Sequence, residues 1–154
     1  MRKWLPWILI IAVASFVVLV WHDLGKEESG ENVPSVDWLP SSATNVSFFK
    51  SYSWTAFEFD ISEDAFRRWA AKWELKEVTS GSSRTISRYH LALHRRSPKT
   101  FDNQDYEGSN AYGALEHAHI EDGWYYGNEF PNGGGTYVAY DRKAGRAYYQ
   151  DSPR

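Results

Sequence analysis

The chain has 154 residues and a net charge of −3, from 17 Lys and Arg against 20 Asp and Glu, and it contains no cysteine. That length fits one domain. The missing cysteines exclude disulfides, thiolate metal sites and an acylated cysteine anchor. The acidic balance argues against a nucleic-acid partner, which would need a basic footprint.

The first element in chain order is the run WLPWILIIAVASFVVLVW, Trp4 to Trp21, which carries no charge. As a helix it would span about 27 Å at about 1.5 Å per residue, close to the roughly 30 Å hydrocarbon core of a bilayer. Trp4, Trp7 and Trp21 would mark its interfaces. Arg2 and Lys3 precede it and the acid-rich HDLGKEESGE follows it. The positive-inside rule then keeps residues 1–3 in the cytoplasm. The expectation is a single-pass signal anchor over 4–21 in the cytoplasmic (inner) membrane, with the lipid bilayer as partner. Cleavage as a signal peptide is disfavoured, because the small residues Ala12-Val13-Ala14 sit in the middle of the apolar run. Residues 22–36, with Gly25, Gly30, Pro34 and several glutamates, read as a flexible linker. Residues 37–154 form the expected extracytoplasmic domain.

Within that domain Thr55, Phe57, Phe59 and Ile61 alternate with Ala56, Glu58 and Asp60, the pattern of a half-buried strand. Ser62 offers a hydroxyl N-cap, with Glu63 and Asp64 in the first turn. Phe66, Trp69, Ala70 and Trp73 recur at one helical face, which predicts a helix over 63–73. Ile61 and Phe66 suit a hydrophobic staple. Residues 79–83 read as a loop. Thr85 to Leu93 fits either a helix or a strand, and 97–108 reads as another loop. From Ala114 onward the pattern is strands and turns: 115–120, 124–130, 136–140 and 146–149, with Gly123 and Gly145 able to supply positive φ. The predicted fold class is α+β, an antiparallel meander packed against one amphipathic helix.

Five histidines raise the question of metal. His90 and His94 are four apart, and His117 and His119 two apart, so each pair shares a face. Together they could hold zinc. No HExxH occurs and nothing in the sequence brings the pairs together, so packed or solvated histidines are the simpler reading. Glu58 and Asp60 share a strand face, which reads as solvated. Gly133-Gly134-Gly135 is not followed by Lys-Ser, Lys-Thr or a helix, so it reads as a hairpin turn. No GxSxG is present. The aromatics are more suggestive. Trp124, Tyr125 and Tyr126 fall in one strand, Tyr137 and Tyr140 in the next, and Tyr148 and Tyr149 in the last. Successive side chains point to opposite sheet faces. One face can pack on the helix. The other either presents rings beside Arg142 and Arg146, or is covered by a loop or by the 85–95 segment. The candidate binding surface is Trp124, Tyr125, Tyr126, Tyr140, Arg142, Tyr148 and Tyr149, since Tyr, Trp and Arg are favoured at interfaces.

The segments LPSSATNV (39–46), FEFDISEDAFRRWA (57–70) and GGGTYVAYDRKAGRAYY (133–149) resemble parts of uncharacterised membrane-anchored bacterial proteins. The resemblance implies a bacterial source and carries no activity to transfer. The functional expectation is a membrane-tethered extracytoplasmic binding or interaction module, without a cofactor and with a protein or cell-envelope partner. The alternative is a small extracytoplasmic enzyme, a histidine-metal hydrolase.

Overall fold

The computed structural model describes residues 26–96, 116–131 and 133–152, together with Val13 and Ser15. The strands are β1 (Glu28–Val33), β2 (Thr44–Lys50), β3 (Thr55–Asp60), β4 (Lys76–Val78), β5 (Arg84–Ser87), β6 (His117–Ile120), β7 (Gly123–Glu129), β8 (Gly135–Asp141) and β9 (Arg146–Ser152). The helices of the domain are α1 (Glu63–Trp69) and α2 (Tyr89–Arg96), and Ser80–Ser82 forms a short 3₁₀ turn. Seven strands make one antiparallel sheet in the order β1-β2-β3-β9-β8-β7-β4, and β5 and β6 make a second, two-stranded sheet.

Helix α1 starts as its sequence dictates. Ser62 is extended and its hydroxyl accepts the Ala65 N–H. Ile61 and Phe66 are buried on either side of that cap. The helix ends at Trp69, earlier than 73. Ala70 leaves helical geometry at ψ 6°, and a turn closed by Trp73 N–H to the Ala70 carbonyl (3.0 Å) follows. Phe66, Trp69, Ala70 and Trp73 still reach one cluster with Phe57, Phe59, Val138 and Tyr140. A burying face therefore survives the loss of the last helical turn, because the turn keeps Trp73 on the same side.

Directly paired residues share a sheet face, so the register defines two surfaces. One carries Val138, Tyr149, Phe57 and Phe48 in one row, and Trp124, Tyr140, Ala147 and Phe59 in the next. Helix α1 covers it. The other carries Tyr125, Ala139, Tyr148, Glu58 and Ser47 across five strands. Ile86 of β5 and Ile120 of β6 pack on Ala139 and Tyr148, and Tyr89 and Ala92 of α2 pack on Phe49 and Ala56. The sheet is thus buried on both faces. That is why β3 shows four consecutive buried residues where alternation predicts a half-buried strand.

The second layer comes from one bent ribbon. β4 pairs with β7 as far as Val78–Gly123, and pairing resumes between β5 and β6 at Arg84–Ile120. The ribbon folds at that break and lays β5 and β6 across the sheet. Gly123 stands at the fold with φ +149°, and a Cβ there would lie 1.9 Å from the Tyr140 carbonyl oxygen. Gly123→Ala should therefore destabilise the domain by more than about 1 kcal/mol, measurable by urea denaturation. Gly145, at φ +64° in the β8–β9 turn with open space around it, should tolerate Ala far better.

Several expectations are corrected. β6 does not form a hairpin with β7: it pairs with β5, 34 residues away at Thr85–His119. The ambiguous 85–93 stretch is both things in turn, strand β5 and then helix α2. Within the 22–36 segment read as linker, Glu28–Val33 is an edge strand paired to β2. The transmembrane anchor is also corrected. No helix among the described residues is long and apolar enough to cross a membrane. Helices α1 and α2 have 7 and 8 residues, about 10–12 Å at 1.5 Å per residue, well short of a bilayer core. The 4–21 run itself lies, Val13 and Ser15 apart, outside the described residues, as does the 97–108 loop. The single-pass topology, the bilayer partner and the inner-membrane location accordingly have no support in the fold.

Candidate functional site

A polar concavity lies on the second sheet face, where the β5–α2 junction roofs the ends of β1, β2, β3 and β9. It encloses about 490 Å³ and is lined by Glu31, Asn32, Asn45, Ser47, Glu58, Asp60, Arg88, Tyr89, His90 and Arg146. At its base Glu58 is almost fully buried, at 1% exposure. A carboxylate so placed must be paired. Arg88 grips it with two bonds, Nε to Oε2 at 2.8 Å and an Nη to Oε1 at 2.5 Å. Arg146 adds bonds of 3.3 and 3.1 Å to Oε1. The same guanidinium donates to Asp60 at 2.5 Å and to the Asn45 carbonyl at 3.2 Å. Asn45 closes the ring by donating its side-chain amide to Asp60 at 2.9 Å.

Two β-bulges deliver the wall residues. Register shifts between Gly30 and Val33 and between Thr44 and Ser47. At each shift an asparagine, Asn32 or Asn45, takes φ 51°. Asparagine tolerates that region better than most residues. Bulges re-aim side chains, and they concentrate beside functional sites. Here both asparagines line the same cleft. The Asn32 N–H is held by the Ser47 hydroxyl at 3.0 Å, and the Tyr89 hydroxyl donates to Glu31 at 2.8 Å.

The electrostatics follow from burial. The Glu58 carboxylate raises the Arg88 pKa further above its ordinary value, against the desolvation that lowers it. Tyr89 is pushed up by burial and then by the Glu31 carboxylate it donates to. Burial, and then the Arg88 charge, lower the His90 pKa, which favours the uncharged ring.

The sequence-predicted surface is divided between the two faces. Tyr140 and Tyr148 are buried, on opposite sides of the sheet, and Tyr125, Tyr126 and Tyr149 are half-buried. Among the described residues the large apolar side chains that are well exposed are Val13, Trp38 and Tyr52, none of them in that set. The 85–95 segment covers the second face, the alternative weighed above. Trp124 and Arg142 do meet, through Glu63: the indole N–H donates to it at 2.6 Å and Arg142 at 2.9 and 3.1 Å. Arg142 also bonds Asp122 and Glu77, so its charge is committed to three carboxylates. Arg142, followed by the Trp124 N–H, lowers the Glu63 pKa below 4.5.

Burial raises Tyr148 and Tyr149 to about 12 from 10. For a raised group the stabilisation is complete below the unfolded pKa and is lost as pH climbs through the folded one. Stability should therefore hold up to about pH 10 and fall between pH 10 and about 12. Chemical denaturation repeated across that range, with ultraviolet titration of the phenols, checks it. Phenols that ionise near pH 10 in the folded protein, with no loss of stability between pH 10 and about 12, would show that these rings are not buried.

The histidines do not converge. His90 lines the polar cleft and His117 a separate one with Thr85 and Gln150. His119 is exposed, near Thr85 and Glu121, and the His94 side chain lies outside what is described. Among the described residues no group of three His, Cys, Asp or Glu could hold a metal. The Glu58 pair, read from sequence as a solvated face, is the residue set that sequence reasoning missed. Its partners Arg88 and Arg146 lie 30 and 88 residues away, and no local pattern links them.

No family model, curated protein or solved structure matches the chain. The expected kinship with membrane-anchored bacterial proteins is corrected on that ground, and on the lack of a membrane-crossing helix among the described residues.

Proposed function

We propose that this domain is a noncatalytic binding module whose ligand site is the cleft over Glu58, and that the ligand is small, neutral and rich in hydroxyl or amide groups. The observation that carries this is the convergence of two bulged asparagines, Asn32 and Asn45, on one cavity built around a buried ion-pair network. A volume of about 490 Å³ lies within the usual range of small-molecule sites. The neutrality of the ligand follows from the network. Arg146 already serves Glu58, Asp60 and the Asn45 carbonyl, and Arg88 holds Glu58 bidentately. An anionic ligand would have to take a guanidinium from Glu58, which strands a buried charge at a cost of several kcal/mol. A cationic one would have to take Glu58 or Asp60 from an arginine, or settle for Glu31, which already accepts from the Tyr89 hydroxyl and is exposed to screening water, where an ion pair contributes little. A neutral ligand leaves the pairs intact and uses the remaining capacity of Asn32, Asn45, Ser47 and Asp60, with the His90 ring as one wall.

The test is a thermal-shift and calorimetric screen of the full chain against neutral saccharides, polyols and small amides, with amino acids, carboxylates and polyamines as charged counterparts. The expected result is stabilisation by one neutral class, with little dependence on salt. His90→Ala, which removes one wall and leaves the ion pairs, should weaken that binding on the order of tenfold. Binding confined to charged compounds, or neutral binding indifferent to His90→Ala, would overturn the reading.

A further inference from the structure

On the opposite face of the sheet a second concavity runs between α1 and β7. It encloses about 530 Å³ and is lined by Asp64, Arg67, Arg68, Ala71, Trp73, Leu75 and Trp124. It differs from the polar cleft in how its cations are held: Arg67 feels the Glu63 carboxylate only through space. Arg67 lies over the Trp124 ring, 4.8 Å from its centroid. Among the described residues neither Arg67 nor Arg68 is in an ion pair with a carboxylate or in a side-chain hydrogen bond. A guanidinium lying over an indole keeps its edge of N–H donors available for a carboxylate. Lys72, over the Trp73 ring at 4.3 Å, adds a third positive charge beside the groove. Asp64 is the one acid among the lining residues.

The floor is fixed in place. Trp124 is held through its N–H by Glu63, which Arg142 in turn clamps. Trp73 is wedged against Trp69 at 5.2 Å and Tyr149 at 5.9 Å between centroids. Rigid indoles flanked by arginine are the composition of binding hot spots. Charge alone would give little here. Arg67 and Arg68 are exposed, and an exposed ion pair contributes only about 0–1 kcal/mol. Appreciable affinity therefore requires an occupant that also covers Trp73, Leu75 and Trp124.

We propose that this groove docks an acidic segment of a partner protein, with Asp or Glu side chains on Arg67 and Arg68 and an adjoining apolar or aromatic side chain on the Trp73–Leu75–Trp124 floor. This site is separate from the cleft over Glu58, and its success or failure is independent of the function proposed above.

The experiment titrates the full chain with a synthetic peptide of glutamates around a central phenylalanine. The parallel probes are the same peptide with glutamine for glutamate, and inorganic phosphate alone. Binding is read from the Trp124 and Trp73 indole N–H resonances. The expected result is that the glutamate peptide shifts both resonances, and that its affinity falls steeply with salt. The double variant R67A/R68A should weaken it on the order of tenfold or more while leaving the denaturation midpoint nearly unchanged. Arg68→Gln alone, which leaves the Arg67–Trp124 contact in place, should weaken it in the same direction. Equal binding of the glutamine peptide, saturation by phosphate as strong as by peptide, affinity unchanged in R67A/R68A and R68Q, or no response of the two indoles would each overturn the proposal.

Discussion

Replacing Glu58 by glutamine is expected to destabilise the domain by about 3–5 kcal/mol, because it leaves two guanidiniums facing a neutral amide in a buried site. Glu58 is nearly inaccessible, and the side chains of Arg146 and Arg88 are only 13% and 24% exposed. The shape of the side chain is kept in this variant, so the loss reports charge rather than a cavity. The double variant E58L/R88M should recover much of the loss, since a buried pair replaced by apolar groups of similar size is often close to neutral. Arg146 would keep Asp60 and the Asn45 carbonyl as partners. Urea denaturation of the three proteins measures both effects. A loss below about 1 kcal/mol for E58Q, typical of surface pairs, would mean that α2 does not close over the sheet and that the cleft described here is open water.

Phe59→Ala is the second large effect, expected at about 3–5 kcal/mol. Phe59 is fully buried at the centre of the first sheet face. Its ring meets Trp69 edge-on at 5.3 Å and lies 6.1 Å from Phe57. Trp69 spans Phe57, Phe59, Phe66 and Trp73, so the cavity cannot collapse without shifting helix α1. Phe59→Leu, which keeps most of the volume, should cost less than about 1.5 kcal/mol. If the alanine and leucine variants were equally stable, α1 would not be packed on this face. The groove between α1 and β7 would then lose its wall.

The two variants probe opposite sides of the sheet, and their contrast shows what each side needs. The first face is a conventional aromatic core against a helix. The second joins apolar packing under β5 and β6 to a charged end under α2. Glu58 and Phe59 are neighbours in β3, and the pleat sends one to each layer.

What the sequence by itself determined is local. Ser62, the acids after it and the spacing of Phe66, Trp69, Ala70 and Trp73 specify α1 and its burying face, because capping and helical period act within a few residues. Gly123 and Gly145 mark positions where the backbone must take positive φ, as observed. β7, β8 and β9 are legible as successive strands for the same reason. The partners were not legible. That β6 joins β5, that 84–96 divides into a strand and a helix, and that this unit folds over the second face depend on contacts between segments far apart in the chain. The strand pattern of β3 therefore could not show that Glu58 would be covered. It alternates with Phe57 and Phe59 whether its own face meets water or α2. Only the tertiary structure brought Arg88 and Arg146 to it, because burying that carboxylate is tolerable only where two distant guanidiniums arrive together. The same long-range packing buried Tyr140 and Tyr148 on opposite faces and laid Arg67 over the Trp124 ring.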